Sequence, residues 1–282
     1  MIYKKEKWQK INIKKNNPDV IAFLQNREAY YVNAISRFLR DCDDLWVLMD
    51  NEKNIEAILL HSKWMLFPVF NGKKDIPLPN FLGSFLKKNS LHAVQGLASE
   101  VETMEKVLLS LNALPTEFID YDLMLLDKSP NLNCLKKGPR NLILRRPNIL
   151  DMDVLFKLRT EYEKEEVIRK TDIFNPAATR LVLERIMVNE LFLIAELDGC
   201  ILGKINTNAT SFSYHQIGGV YVLPEYRNLG VASRLTAFFA DDIIASGRCV
   251  SLFVKKQNLA ARSMYKNVGF SIIDDYRITY YS

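Results

Sequence analysis

Cysteine and histidine are scarce in this chain of 282 residues, and neither is grouped as a metal or disulfide site requires. The scattered residues are Cys42, Cys134, Cys200, Cys249, His61, His92 and His215. No two cysteines form a C-x-x-C pair, which favours reduced, structural thiols. A zinc site needs clustered Cys and His ligands. We therefore expect no bound metal.

Long apolar runs are also missing. The longest, such as Trp64–Phe70, fall far short of the roughly 20 residues that a membrane helix needs. The amino terminus is basic but has no apolar stretch behind it, unlike a secretory signal. We expect a cytoplasmic protein that does not engage a membrane.

Charge of one sign is not concentrated in either half. The formal net charge of +5 divides into +3 for residues 1–140 and +2 for residues 141–282. One local basic cluster comprises Lys4, Lys5, Lys7, Lys10, Lys14 and Lys15. A nucleic-acid-binding arm is one interpretation of it. We favour a solvated terminus and do not expect nucleic acid as a partner.

The hydrophobic content of 48% suffices for a buried core, and the length suggests two domains. Strand and helix patterns alternate along both halves, which predicts an α/β fold with a mixed sheet. The order of elements is similar in the halves although the letters differ, which indicates an internal duplication. Lys128–Arg140 carries Pro, Asn and Gly without periodicity, so we expect a linker there and domains at 1–135 and 136–282.

One segment has the pattern of an anion site. A β-branched strand at Val220–Val222 runs through a Pro-Glu turn into an amphipathic helix that begins near Gly230. The first N–H groups of a helix are unpaired and carry partial positive charge, and Arg227 adds a full one. Neither G-x-x-x-x-G-K-[ST] nor G-x-G-x-x-G is present. The residues predict a site for a phosphate-bearing ligand at Arg227–Ser233.

The motifs around this segment make the prediction of the ligand more specific. Arg227-Asn228-Leu229-Gly230-Val231-Ala232 resembles the Q/R-x-x-G-x-G/A signature of the GNAT superfamily of N-acetyltransferases. About 30 residues downstream, Asn258, Ala261, Tyr265, Gly269 and Phe270 match a second motif of that family. The hairpin at Glu196–Lys204 also looks like the family's second and third strands. The resemblance covers residues 141–282 and implies the GNAT fold there.

The resemblance implies roles for individual residues. The strand Val220, Tyr221, Val222 would pair with pantetheine, and the amides of Asn228, Leu229, Gly230, Val231, Ala232 and Ser233 would hold the pyrophosphate of acetyl-CoA. Asn258, followed by Ala261, would contact the pantetheine arm or hold the loop. Gly218-Gly219 would splay this strand from Cys249–Val254, or else merely fit the packing. Asn228 stands where the family commonly has Gly, and Asn tolerates the same backbone angles.

Tyr265 is the residue that we expect to act as an acid, by protonating the departing thiolate. A strand N–H near Tyr221 would stabilise the oxyanion. For the general base, His215 has a suitable ordinary pKa, although a lone His is more often structural. Glu196 and Tyr221 are alternatives. The acidic stretch Glu161–Glu166 either lines the acceptor entrance or is a solvated helix face.

The first half lacks the signature. The signature would be expected at Gln95–Glu102. This stretch instead offers Ser99 as a helix N-cap with Glu102 as its capping-box partner. We predict a partial GNAT-like domain that does not bind CoA.

The sequence therefore predicts an N-acetyltransferase that moves an acetyl group from acetyl-CoA to a small-molecule or peptide amine, and a homodimer is left open. The alternative is a non-catalytic module that senses acyl-CoA or serves as an interaction surface.

Overall fold

The structure is a computed structural model that describes residues 8–12, 17–73, 75–169 and 172–281. Lys4, Lys5, Lys7, Lys14 and Lys15 of the predicted basic cluster lie outside these ranges. The first half contains β1 (Trp8–Ile11), α1 (Pro18–Asn26), α2 (Val32–Arg40), β2 (Asp44–Met49), β3 (Ile55–Ser62), β4 (Met65–Val69), α3 (Pro79–Leu86), β5 (Ala93–Leu97), α4 (Ala98–Ser110) and β6 (Pro115–Leu126).

The second half follows a short helix, α5 (Leu132–Leu135), inside the predicted linker. Its elements are β7 (Ile143–Arg145), α6 (Met152–Tyr162), a π-helical turn (Glu163–Val167), α7 (Pro176–Asn189), β8 (Phe192–Leu197), β9 (Cys200–Thr210), β10 (Tyr214–Val222), α8 (Val231–Ala245), β11 (Cys249–Lys255), α9 (Leu259–Val268) and β12 (Ser271–Tyr281). The predicted hairpin is present, with Asp198 and Gly199 both at positive φ.

The described strands form one mixed sheet in the order β1-β2-β3-β4-β5-β12-β6-β11-β10-β9-β8-β7. The two halves exchange their last strands across its centre. Strand β12 pairs with β5 of the first half, while β6 pairs with β11 of the second. The exchanged strands also pair with each other over most of their length. The predicted domain boundary between 135 and 136 follows α5, but the sheet itself runs on across both halves.

The strand order confirms the predicted duplication. Each half contains one pair of parallel strands that are paired over only two or three residues and then separate. These pairs are β4 with β5 in the first half and β10 with β11 in the second. The counterpart of the loop between β10 and α8 is therefore the connection between β4 and α3. We expected the equivalent of the phosphate segment at Gln95–Glu102, and this alignment was wrong, because that stretch joins β5 to α4 and corresponds to the junction of β11 and α9.

The predicted capping box at Ser99 is also wrong. Helix α4 begins at Ala98 after Leu97, so Ser99 lies inside its first turn. Glu100 is buried rather than facing a ligand. Its Oε1 accepts from the Tyr31 hydroxyl at 2.6 Å and from the Phe70 amide at 2.9 Å. The first backbone amide after β4 is thus already hydrogen-bonded to a carboxyl group and is not available to a phosphate. This supports the prediction that the first half does not bind CoA.

Helix α2 joins the halves through polar contacts. Asn33 donates to the Gln216 side chain at 3.4 Å, and the Ser36 hydroxyl accepts from the Thr210 amide at 3.2 Å. Just before α2, the buried Glu28 carboxylate accepts from the Ser211 hydroxyl at 2.5 Å. These bonds hold the tip of the β9–β10 hairpin against the first half.

Strand β1 is short and has two exposed residues at its centre, so the sequence shows no clear strand pattern there. Helix α6 ends at Tyr162, where the π-helical turn begins. In the described residues, no helix is long and apolar enough to cross a bilayer. The same residues contain no group of three His, Cys, Asp or Glu side chains that could hold a metal ion.

We predict that Glu100 makes the stability of the protein fall as pH rises. Burial raises the pKa of this carboxyl from 4.5 to about 7. Because the pKa is higher in the folded state, the contribution is complete below pH 4.5 and is lost as pH rises to about 7. Glu100→Gln keeps both accepted hydrogen bonds but cannot ionise. The decline in the free energy of unfolding between about pH 5 and 8 should therefore be about 2 to 3 kcal/mol smaller in this variant.

Urea unfolding at the two pH values measures the effect. Glu117→Gln, at an exposed position on β6, is the matched control. An equal pH dependence in wild type and Glu100→Gln would contradict the prediction.

Candidate functional site

The loop between β10 and α8 exposes the first amides of a long helix. Gly230 is the N-cap residue of α8, with φ at +84°, and no side chain caps the helix. The amides of the first turn, at Val231, Ala232 and Ser233, are therefore available to a ligand. Asn228 adopts φ of +63°, as expected for an Asn in place of Gly. This geometry can hold an anion of the size of a pyrophosphate.

Gly230 has a second role that the sequence did not reveal. A Cβ at this position would lie 2.8 Å from Lys137 Cβ and 3.0 Å from the Gly138 nitrogen. The linker between the halves thus packs directly on the start of α8. Lys137 lines the same cavity as Arg227 and is a second basic residue there.

Arg227 is oriented from two directions. Its Nε donates to the Val222 carbonyl at 3.0 Å. Its two terminal nitrogens bind the Glu165 carboxylate at 2.9 and 2.8 Å. The guanidinium therefore faces the π-helical turn, and a ligand phosphate at this place would compete with Glu165.

The expected splay of β10 from β11 is present. The two strands pair only from Tyr214–Gln216 to Cys249–Ser251. Beyond Gln216 the register of β10 against β9 shifts twice, and Gly219 has a φ of +59°. The Gly218-Gly219 pair thus marks the point where the strands part and a cleft opens.

A cavity of about 730 Å³ follows this cleft to the start of α8. Every residue predicted to bind the cofactor lines it: Val220, Tyr221, Val222, Arg227, Asn228, Leu229, Gly230, Val231, Ala232, Ser233, Asn258 and Ala261. Tyr265 lines it as well. The tertiary fold therefore brings the two sequence motifs to one surface.

A second cavity of about 320 Å³ lies between the parted strands and is lined by residues 217–220 of β10 and 252–255 of β11. Four tyrosines dominate its wall: Tyr121, Tyr162, Tyr265 and Tyr280. Tyr121 and Tyr280 come from the exchanged strands β6 and β12. Both cavities are lined by Glu166, Val220, Asn258, Ala261 and Tyr265, so they meet at these residues.

Tyr265 stands at this junction. It is buried on α9, and its ring packs edge-on against Phe270 with centroids 5.8 Å apart. Burial raises the pKa of Tyr265 above its ordinary value, and Tyr162 and Glu166 add to the rise. The phenol therefore stays protonated at neutral pH and can donate a proton.

Asn258 holds the junction loop. Its Oδ1 caps α9 by accepting from the Ala261 amide at 3.0 Å, and its Nδ2 donates to Glu166 at 3.0 Å. Glu166 also lies 3.4 Å from the Lys255 ammonium. The predicted acidic stretch thus does reach the cleft, through Glu165 and Glu166, whereas Glu163 is buried against Arg159.

The candidate bases fall in different places. His215 lines neither cavity, and its Nδ1 lies 3.0 Å from the Thr210 hydroxyl. Glu196 is ion-paired with Arg145 at 2.7 Å. Tyr221 lines the larger cavity beside Arg227. Glu166 is the one carboxylate, among the described residues, that lines both cavities.

Sequence reasoning missed the contribution of the exchanged strands and of the linker. Tyr121 and Tyr280 carry no motif, and only the strand exchange brings them to the cleft. Lys137 lies in a segment without periodicity. Tyr162 lies inside the acidic stretch Glu161–Glu166 and carries no separate signal.

Comparisons with known proteins agree with this geometry. Residues 155–270 match the family model described as the Acetyltransferase (GNAT) family. The chain is 36% identical over 88 residues to N-alpha-acetyltransferase 20 of Dictyostelium discoideum, which covers 30% of this chain and 49% of that protein. The match therefore spans about half the length of that relative.

Among solved structures, a Drosophila protein has a TM-score of 0.66 at 11% identity and covers 98% of both chains. A tandem GNAT protein from the clavulanic acid biosynthesis pathway has a TM-score of 0.59 at 12% identity, also with 98% of both chains covered. A GCN5-related N-acetyltransferase from Sphaerobacter thermophilus has a TM-score of 0.60 at 17% identity, with 96% of this chain and 94% of that one covered. These likenesses extend over both halves and establish the fold.

We predict that Gly230→Ala costs more stability than an alanine at a glycine of the same conformation. Gly247 has nearly the same φ, +83°, but a methyl group there would meet nothing within 4 Å. Gly247→Ala should cost about 1 kcal/mol for backbone strain alone. Gly230→Ala should cost about 1 to 3 kcal/mol more, because the methyl group meets the linker. Denaturant unfolding of both variants measures the difference, and equal losses would contradict the packing of Lys137 and Gly138 on Gly230.

Proposed function

We propose that the protein transfers an acetyl group from acetyl-CoA to a primary amine, since residues 155–270 match the GNAT acetyltransferase family. The observation that carries the proposal is the single cavity lined by both sequence motifs, which meets a second cavity at Tyr265. The larger cavity would hold acetyl-CoA and the smaller one the amine.

The larger cavity fits the cofactor by its chemistry. The amides at the start of α8 and the cations Arg227 and Lys137 would hold the phosphates. The free edge of β10 at Val220–Val222 would pair with the amides of pantetheine, as an added strand does. The thioester would then lie at the residues that both cavities share.

The reaction that we propose is direct transfer. The amine nitrogen forms a bond to the thioester carbonyl carbon, the carbon–sulfur bond breaks, and the amine loses a proton. Tyr265 donates a proton to the departing thiolate. Glu166 is our candidate to accept the amine proton, directly or through water, because it lines both cavities. His215 stays a predicted base, but it lines neither cavity.

One observation favours the alternative function, binding of acyl-CoA without transfer. Arg227, the cation of the signature, is already paired with Glu165. A site regulated by this carboxylate would suit a sensor. Binding alone does not separate the two functions, whereas acetyl transfer does.

Calorimetric titration with acetyl-CoA tests the site itself. We expect saturable binding by the wild type and none by the double variant Arg227→Ala/Gly230→Glu, which removes a cation and places a carboxylate in the cradle. Absence of binding by the wild type would contradict the proposal.

We predict that Glu165→Gln binds acetyl-CoA more tightly than the wild type. The Arg227–Glu165 pair is partly exposed, so releasing it should improve affinity about two- to fivefold. Glu161→Gln, on an exposed neighbour paired with Lys164, is the control and should leave affinity unchanged. Weaker binding by Glu165→Gln would mean that this carboxylate supports the site rather than competing for it.

We predict that Tyr265→Phe lowers kcat about 100-fold or more while the affinity for acetyl-CoA persists. The phenyl ring keeps the packing against Phe270, so the loss isolates the hydroxyl. The measurement is steady-state transfer to an amine found by screening, beside calorimetry. Unchanged kcat would exclude the acid role, and absence of any transfer by the wild type would leave the sensing function.

A further inference from the structure

Lys204 is a lysine in the interior of the second half, and no carboxylate of the described residues pairs with it. Its side chain is fully buried on β9. The described residues include no acidic group within ion-pairing distance of its Nζ. An unpaired ammonium in such a place is costly. A residue that lowers stability at a buried position calls for a functional reason.

The surroundings favour a neutral amine. Burial holds the pKa of Lys204 well below its ordinary value, and the nearby Arg159 lowers it further, while Glu163 opposes the shift. The Nζ lies 4.5 Å from the centroid of the Tyr162 ring. A neutral amine still donates hydrogen bonds. Lys204 donates such a hydrogen bond to the backbone of β10.

The acceptor of Lys204 is the carbonyl of Gly219, at 2.8 Å. Gly219 belongs to the bulge of β10, since Gly218 pairs with Asn206 and Tyr221 pairs with Lys204. Gly219 and Val220 therefore lie opposite the single residue Ile205, outside the regular ladder. The lysine side chain supplies a hydrogen bond to a carbonyl that the bulge takes out of regular pairing.

Packing below the bulge is tight. A Cβ on Gly219 would lie 2.4 Å from Asn206 Oδ1 and 3.1 Å from Lys204 Nζ. Only glycine fits over these two side chains at a φ of +59°. The position of this peptide group is thus set from beneath by β9.

The direction of the next amide follows from peptide geometry. The Gly219 carbonyl and the Val220 N–H belong to one trans peptide group and point in opposite directions. Because the carbonyl is directed at the buried Lys204, the Val220 N–H is directed away from it. Val220 lines both cavities. A hydrogen bond to the carbonyl also strengthens the N–H of the same peptide as a donor.

We propose that Lys204 is a positioning residue that fixes the Gly219–Val220 peptide so that the Val220 N–H can bind the thioester oxygen during transfer. The inference rests on the proposed acetyl transfer and adds a residue to it. Lys204 does not touch the substrate. It acts through the peptide group that it holds.

Lys204→Met tests the inference, because methionine keeps the length and volume but cannot donate. With [1-13C]acetyl-CoA bound to the wild type, infrared spectroscopy should show the carbonyl stretch at lower wavenumber than in solution. We expect Lys204→Met to lose this shift while its calorimetric affinity stays within about twofold of the wild type. Transfer to an identified amine should fall about 10- to 100-fold.

Stability separates this role from a structural one. Replacing a buried lysine by an apolar side chain should leave the thermal midpoint unchanged or raise it. Lys157→Met, on an exposed lysine of α6, is the control and should keep the infrared shift. A Lys204→Met variant that retains the shift, or that loses affinity and stability together, overturns the inference.

A second measurement needs no variant. The amide proton resonance of Val220 in the wild type should move downfield when acetyl-CoA is added. An unmoved resonance in a protein that binds acetyl-CoA overturns the inference and leaves the proposed function standing. Failure of the wild type to bind acetyl-CoA overturns both.

Discussion

The parting of β10 from β11 after Gln216 is the constraint on which the rest of the site depends. Two neighbouring strands of a sheet ordinarily satisfy each other's backbone groups, and here they stop doing so in the middle of the molecule. The bulge at Gly218-Gly219 starts the separation, and side chains of β9 fill the space beneath it. The larger and the smaller cavity both lie beyond this break in pairing, where Val220 of β10 lines both of them and Tyr265 stands at their junction.

The exchange of β6 and β12 makes the first half part of that cleft. Each half completes the sheet of the other, and the exchanged strands place Tyr121 and Tyr280 in the smaller cavity. Polar contacts around α2 then hold the β9–β10 hairpin against the first half. In the first half, Glu100 accepts a hydrogen bond from the Phe70 amide just after β4, and this half contributes Tyr121 to the wall of the smaller cavity.

The π-helical turn carries carboxylates that bind residues on two sides of the cleft. Glu165 meets Arg227 at the start of α8, and Glu166 meets Asn258 at the start of α9. Such turns are frequent at functional sites because they displace side chains from the regular helical positions. Together with the buried Lys204 and Glu100, they show that this fold accepts polar groups in costly positions around its clefts.

The sequence by itself determined the alternation of strands and helices, the duplication, and the segment from Val220 to Ser233, because periodicity, turn residues and helix starts are local properties. Through the resemblance alone, it also predicted which residues of two separate motifs would share a ligand. The tertiary structure alone decided the strand exchange, the tyrosine-rich wall and the partner of Arg227, since these depend on contacts between residues far apart in the chain. The same reason explains the misplaced counterpart at Gln95–Glu102: the sequence orders elements along the chain, and only the sheet shows which strands are neighbours.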